Sequence, residues 1–196
     1  MPIRMRVLVF DHMNECTEAS VQQMLPLVSE QRREQALRYK HTFGRFCCLK
    51  SWLMLKELMG HVGTFDYNEH GKPYLPDGPY FSISHCKNGI AVAVDDQPIG
   101  IDIEAIRHAN EELIANVMSE KEKSQISHPS PVESARAFTR LWTQKEAIVK
   151  AEGTGITSFE QLQTIMENGK WKMDIFENKE YIYSIAHKSE IINLQS

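Results

Sequence analysis

Asp102 and Glu104 alternate with isoleucines in the stretch Ile99-Gly100-Ile101-Asp102-Ile103-Glu104. Read as a strand, this hexapeptide puts three isoleucines on one face and Gly100 with both carboxylates on the other. Carboxylates so placed stand roughly 6–7 Å apart, too far to share one proton but close enough to approach one hard divalent cation, whose ligands are oxygens. Taken alone, such a hexapeptide is more usually an ordinary solvated strand face. Further on, Glu146 and Lys150 lie one turn apart at the edge of a helical apolar stripe, where an exposed i,i+4 pair accounts for them. Lys145 falls near the middle of that stripe and must snorkel out or meet a carboxylate, because an unpaired buried ammonium is costly.

Three further groups are candidates for anion chemistry. Lys72 sits in Gly71-Lys72-Pro73-Tyr74, where the proline biases the lysine away from helix and holds it at a turn. His85 ends a strand-like run at its junction with a polar turn, a place where histidine serves local hydrogen bonding more often than function. Between Glu30 and Lys50, Arg32, Arg33, Arg38, Lys40, Arg45 and Lys50 face only two acids, Glu30 and Glu34. That run is either a solvated helical face or a cradle for the phosphates of a polyanion such as a nucleotide.

The elements that must position these residues follow from periodicity. Arg6–Phe10 reads as a strand, followed by helices at about 20–28, 30–41 and 43–59, the last ended by Gly60. The runs at 80–85, 89–94 and 99–104 read as a three-stranded meander with a turn at Lys87-Asn88. A helix is expected over 109–118, and Ser119-Glu120-Lys121-Glu122 has the form of a capping box. A longer helix runs from about 132 to 151, stopping before Gly153. A hairpin of 171–176 with 181–186 and a polar tail complete the chain. Each half thus holds a long helix and a strand group, which predicts an α+β fold of two lobes, 1–104 and 105–196.

The composition is that of a globular chain, 42% hydrophobic with a formal net charge of −4. That charge argues against nonspecific nucleic-acid binding, which needs a basic field. No apolar run reaches the length of a membrane span, and Met1-Pro2-Ile3-Arg4 is not followed by a signal-peptide core, so a cytoplasmic location is expected. Cys16, Cys47, Cys48 and Cys86 lack metal-ligand spacing and read as free thiols.

Taken in order, Gly-Lys-Pro-Tyr at 71–74, Phe-Ser-Ile-Ser-His at 81–85, Gly-Ile-Asp-Ile-Glu at 100–104 and Trp-Thr-Gln-Lys-Glu-Ala-X-X-Lys at 142–150, followed by two spaced glycines, resemble the 4′-phosphopantetheinyl transferases of the surfactin-synthetase (Sfp) type. The resemblance covers most of 29–155, with a weaker similarity at 181–187. It implies two pseudo-symmetric lobes, each a small antiparallel sheet packed with a long helix. The activity it implies is Mg²⁺-dependent transfer of the phosphopantetheine arm of coenzyme A to a serine of an acyl- or peptidyl-carrier protein, releasing 3′,5′-ADP.

By match to the family's motifs, Asp102 and Glu104 are expected metal ligands, Glu146 a third ligand or the base for the carrier serine, and Lys150 a pyrophosphate contact. Ser84, His85, Lys72 and Arg45 are expected at the coenzyme's adenosine-side phosphates, with Arg32 matching a position in the basic helix. A second basic position there is Gln35 in this chain, Cys86 stands where serine commonly follows the histidine, and Glu122 matches a further acidic position. Attack of a hydroxyl on a pyrophosphate needs these residue types: carboxylates for a cation and a base, and cations for the leaving phosphate. A monomer with no nucleic-acid or membrane partner is expected. The alternatives are a non-catalytic module binding coenzyme A or another nucleotide, and a metal-dependent phosphohydrolase using the same carboxylates.

Overall fold

The structure is a computed structural model that describes residues 5–167 and 169–188. Residues 1–4 and most of the polar tail, 189–196, lie outside the described residues. In chain order the elements are β1 (Arg6–Phe10), α1 (Glu18–Met24), α2 (Glu30–Leu37), α3 (Thr42–Met59), β2 (Asp66–Tyr67), β3 (Pro73–Tyr74), β4 (Tyr80–Cys86), β5 (Gly89–Asp95) and β6 (Gly100–Ala105). There follow α4 (Glu111–Val117), α5 (Glu120–Ile126), α6 (Pro131–Glu152), α7 (Phe159–Thr164), β7 (Lys172–Glu177) and β8 (Tyr181–His187).

Apolar periodicity and capping fix the two long helices. Phe46, Leu49, Trp52 and Leu55 line the buried side of α3. In α6, Ser130 accepts the backbone N–H of Glu133, Pro131 opens the first turn, and Gly153 ends the helix in the left-handed conformation. Each helix covers a three-stranded antiparallel sheet: α3 covers β1-β5-β4 and α6 covers β6-β8-β7. The two sheets face each other through a third cluster, in which Ile99, Ile101, Ile103 and Ile185 meet Ala91, Ala93, Val7 and Val9. The result is four layers, helix, sheet, sheet, helix, built from two copies of one order: β1-α3-β4-β5 and β6-α6-β7-β8.

The expected meander is half right. β4 and β5 form the hairpin, turning at Lys87-Asn88, but β6 pairs with β8 instead, Asp102 standing opposite Ser184. The reason lies in β5, whose two edges are already taken by β1 and β4. Its alternating small residues Ala91 and Ala93 leave room for the isoleucine face of β6 to lie over it rather than beside it. Strand β6, which the expected boundary at 104 leaves in the first lobe, thereby opens the second β-α-β-β unit. Nor is the other face of β6 solvated, since α6 lies across it and Asp102 is 3% exposed.

Candidate active site

The approach of α6 to β6 depends on Gly100. A Cβ there would clash with the Ala147 carbonyl oxygen, far inside van der Waals contact, and stand 2.5 Å from the Ala151 backbone nitrogen. With no side chain at that point, helix backbone rests on strand backbone, and the same turn carries Glu146 and Lys150, the residues just before Ala147 and Ala151, over Asp102. Gly100→Ala is expected to push α6 outward and lower stability by about 1–3 kcal/mol, read from denaturant unfolding.

Asp102 is the centre of the arrangement. Its Oδ1 accepts from the Ser84 hydroxyl at 2.8 Å and from Lys150 Nζ at 2.6 Å, and Lys150 Nζ also reaches the Ser84 Oγ at 2.8 Å. Its Oδ2 is buried without a hydrogen-bond partner among the described residues. Glu104 and Glu146 are half-buried beside it. Burial, and then the charge of Asp102, push the pKa of Glu104 above the usual carboxylate value, against the opposing pull of Arg107 and Lys150. Burial and the same Asp102 charge raise Glu146, with Glu104 adding to the effect and Lys150 opposing it. Three carboxylates from a strand and a helix therefore share one electrostatic field. They do not form a ready-made cage: among the described residues no three His, Cys, Asp or Glu side chains are grouped to hold a metal ion.

The facing wall comes from the first half of the chain. Asn68 Oδ1 accepts the backbone N–H groups of His70 and Lys72, and its Nδ2 donates to the Gly153 carbonyl at 2.7 Å. It thus closes the β2–β3 loop and ties it to the end of α6. Lys72 Nζ donates to the Lys150 carbonyl, and burial pulls its pKa down to about 8. Between these parts lies a cavity of about 390 Å³, with Lys72, Glu146 and Lys150 as its charged groups and Phe81, Ile83, Val149 and Ile156 as apolar walls. A second hollow of about 340 Å³ shares Gly71, Pro73, Ile83 and Lys150 with the first and adds Arg32, Tyr39, Ser84 and His85.

The expected anion-binding residues separate into two groups. Ser84 and His85, as neighbours on β4, point to opposite faces: Ser84 toward Asp102, His85 toward Phe43 of α3, ring centroids 5.7 Å apart. Desolvation of the ring, and then the Lys150 charge, hold the His85 pKa below its ordinary value. Arg32 is buried and donates to the Cys48 carbonyl, Gln35 and Ser51, with no ion pair to it among the described residues. Arg45 is turned elsewhere, to the Tyr39 carbonyl and Glu18, and does not line either hollow.

Lys145 and Glu122 belong to the scaffold. Lys145, fully buried, pairs with Glu122 at 2.8 Å and donates to the Leu162 carbonyl at 2.5 Å, while Glu122 completes the capping box with Ser119. The four cysteines are free thiols. Sequence reasoning passed over Asn68 and Gly100. For Asn68 the signal was a polar Asn-Glu-His-Gly turn directly before Lys72, and for Gly100 a glycine inside a strand, which marks a close backbone approach.

Comparison with known proteins converges on one family. The model of the 4′-phosphopantetheinyl transferase superfamily matches residues 98–189, the stretch holding β6, α6, β7 and β8. A 4′-phosphopantetheinyl transferase of Bacillus subtilis is 30% identical over 143 residues, 68% of this chain and 64% of that relative. The 4′-phosphopantetheinyl transferase Sfp of Bacillus subtilis strain 168 is 29% identical over 145 residues, 69% of this chain and 65% of its own length. AcpT of Escherichia coli strain K12 is 38% identical over 111 residues, 52% of this chain and 57% of AcpT. The matched stretches thus span less than two thirds of these relatives. The acidic strand packed under the Glu146–Lys150 turn of α6 falls inside the stretch in which this chain is similar to the 4′-phosphopantetheinyl transferase superfamily.

Proposed function

We propose that the chain transfers the 4′-phosphopantetheine arm of coenzyme A to a serine hydroxyl of an acyl- or peptidyl-carrier protein, with Mg²⁺ as the cation and 3′,5′-ADP as the second product. The observation that carries this reading is the meeting of Asp102, Glu104, Glu146 and Lys150 from one β-α-β-β unit with Lys72, Ser84 and His85 from the rest of the chain. The reading divides the two lobes at the Asp96–Pro98 turn, with the cleft at their junction. It takes the protein to act in the cytoplasm as a monomer. No helix of the described residues is long and apolar enough to cross a membrane.

The donor set suits a hard divalent cation. Asp102 has a buried oxygen with no partner among the described residues, and Glu104 and Glu146 are raised first by burial and then by the Asp102 charge, a repulsion that a dication relieves. Asp102, Glu104 and Glu146 would hold it, and when bound it neutralises charge on the pyrophosphate. Lys150 and Lys72 supply further positive charge on the phosphate side, and His85 and Arg32 extend it into the second hollow. The apolar wall of Phe81, Ile83, Val149 and Ile156 suits the pantetheine chain and keeps water from the reacting phosphorus. In the reaction the serine oxygen bonds to the phosphorus of the phosphopantetheine phosphate and the bond to the 5′-phosphate of 3′,5′-ADP breaks. The serine proton leaves toward a carboxylate, in this reading Glu146 on the cavity wall.

Mass spectrometry of an apo carrier protein incubated with the chain, coenzyme A and Mg²⁺ tests the reading. A gain of the phosphopantetheine mass on the carrier supports transfer. Free phosphopantetheine without that gain means hydrolysis, and neither means binding alone.

Lys72 gives the cleft a pH signature. An anion beside it favours its charged form, so ligand binding above its free pKa must be accompanied by proton uptake. Calorimetric affinity for coenzyme A is therefore expected to lose its Lys72 contribution as pH rises through about 8, by up to about tenfold per unit, and Lys72→Met should flatten that decline. His85, whose free pKa lies below the ordinary histidine value, begins to lose its contribution on the acidic side of neutrality.

A further inference from the structure

Lys150 occupies a position that a phosphate-binding lysine alone does not need. Its ammonium sits 2.6 Å from Asp102 Oδ1 and 2.8 Å from Ser84 Oγ, while Ser84 itself donates to the same carboxylate oxygen at 2.8 Å. The three groups close a triangle on a buried carboxylate whose other oxygen has no partner among the described residues. A divalent cation on Asp102 would stand beside this ammonium, and two like charges a few ångströms apart in a half-buried site repel strongly. The ammonium is nonetheless free to leave: Lys150 comes from the last turn of α6, its side chain is 29% exposed, and it lines both hollows of the cleft.

We infer that Lys150 couples cation binding to phosphate binding by exchanging partners at Asp102. The cation takes the carboxylate as the ammonium gives it up, and the ammonium gives it up when a phosphate of the second ligand replaces it. Each ligand removes the obstacle to the other, so the two bind with positive, reciprocal coupling. Ser84 holds the Asp102 carboxylate in place through the exchange. The inference rests on the reading in which a divalent cation and coenzyme A meet in this cleft.

The test is Mn²⁺ binding to the 196-residue chain, followed by electron paramagnetic resonance, alone and with saturating coenzyme A. For the wild type, coenzyme A is expected to tighten Mn²⁺, and Mn²⁺ to tighten coenzyme A by the same factor. In Lys150→Met and Lys150→Gln, Mn²⁺ alone is expected to bind roughly tenfold or more tighter than in the wild type, with the further gain from coenzyme A reduced. Lys150→Arg, which keeps the charge, should bind Mn²⁺ alone as weakly as the wild type does. If the neutral variants bind Mn²⁺ no tighter than the wild type, the exchange is overturned, because a merely structural lysine gives equal or weaker binding. Should coenzyme A fail to bind the wild type with or without Mn²⁺, the transferase reading falls. The Mn²⁺-alone comparison of wild type and neutral variants would still decide whether lysine and cation compete for Asp102.

Discussion

Glu146→Gln is expected to slow phosphopantetheine transfer to a carrier protein by on the order of 10²–10⁴-fold while leaving coenzyme A affinity largely intact. Glutamine fills the same space on the same helix turn and removes only the charge and the ability to take a proton. Glu146 lies on the wall of the 390 Å³ cavity, one helical turn before Lys150, where both the charge and the proton acceptor have work in the proposed reaction. A second measurement separates its two candidate duties. Unchanged Mn²⁺ affinity in the variant assigns Glu146 to the serine proton, and weakened affinity assigns it to the cation. Full transfer activity would remove it from both.

The largest effect on stability is expected at Lys145. Lys145→Met keeps most of the side-chain volume but strands the Glu122 carboxylate and the Leu162 carbonyl, both of which now meet the ammonium. Breaking a buried pair from one side costs about 3–5 kcal/mol. For a chain of this length each kcal/mol shifts the melting temperature by roughly 2–4 °C, so the loss is visible by calorimetry. Adding Glu122→Gln to Lys145→Met should recover most of it, because glutamine can still accept the Ser119 backbone N–H of the capping box and no charge is left unpaired. A double variant as unstable as the single one would show that the volume around Lys145, not the charge, sets the loss.

Local features of the chain were legible before any coordinates. The 3.6-residue stripe over 132–151, the stop at Gly153, the hairpin turn at Lys87-Asn88 and the pairing of Lys145 with a carboxylate all rest on interactions within a few residues or on the cost of burying a charge. The partner of β6 was not legible, because the Asp95–Pro98 turn favours pairing with the preceding strand, while the actual partner, β8, begins at Tyr181. Only the occupancy of both β5 edges decides between them, and that is a property of the assembled sheet. Helix α7 did leave a trace, since Ser158 accepts the Gln161 backbone N–H as a cap.

In the site, Asp102, Glu104, Glu146, Lys150 and Lys72 were nameable from motif order. The direction in which each side chain points was not: alternation along β4 sends Ser84 and His85 to opposite faces, and Glu18 draws Arg45 away from the hollow that Arg32 enters.

The twofold repetition of β-α-β-β has a consequence for how this chain divides structure from chemistry. In the second unit the residues of the leading strand beneath the helix are Gly100, Asp102 and Glu104. In the first unit the corresponding strand turns Arg6, Leu8 and Phe10 toward α3, with Arg6 bonded to the Leu58 carbonyl and Phe10 against Phe46. One backbone plan is therefore used twice with opposite contents. Where the first copy fills the space under its helix with side chains, the second leaves out one side chain at Gly100 and places two carboxylates, Asp102 and Glu104, in the same layer.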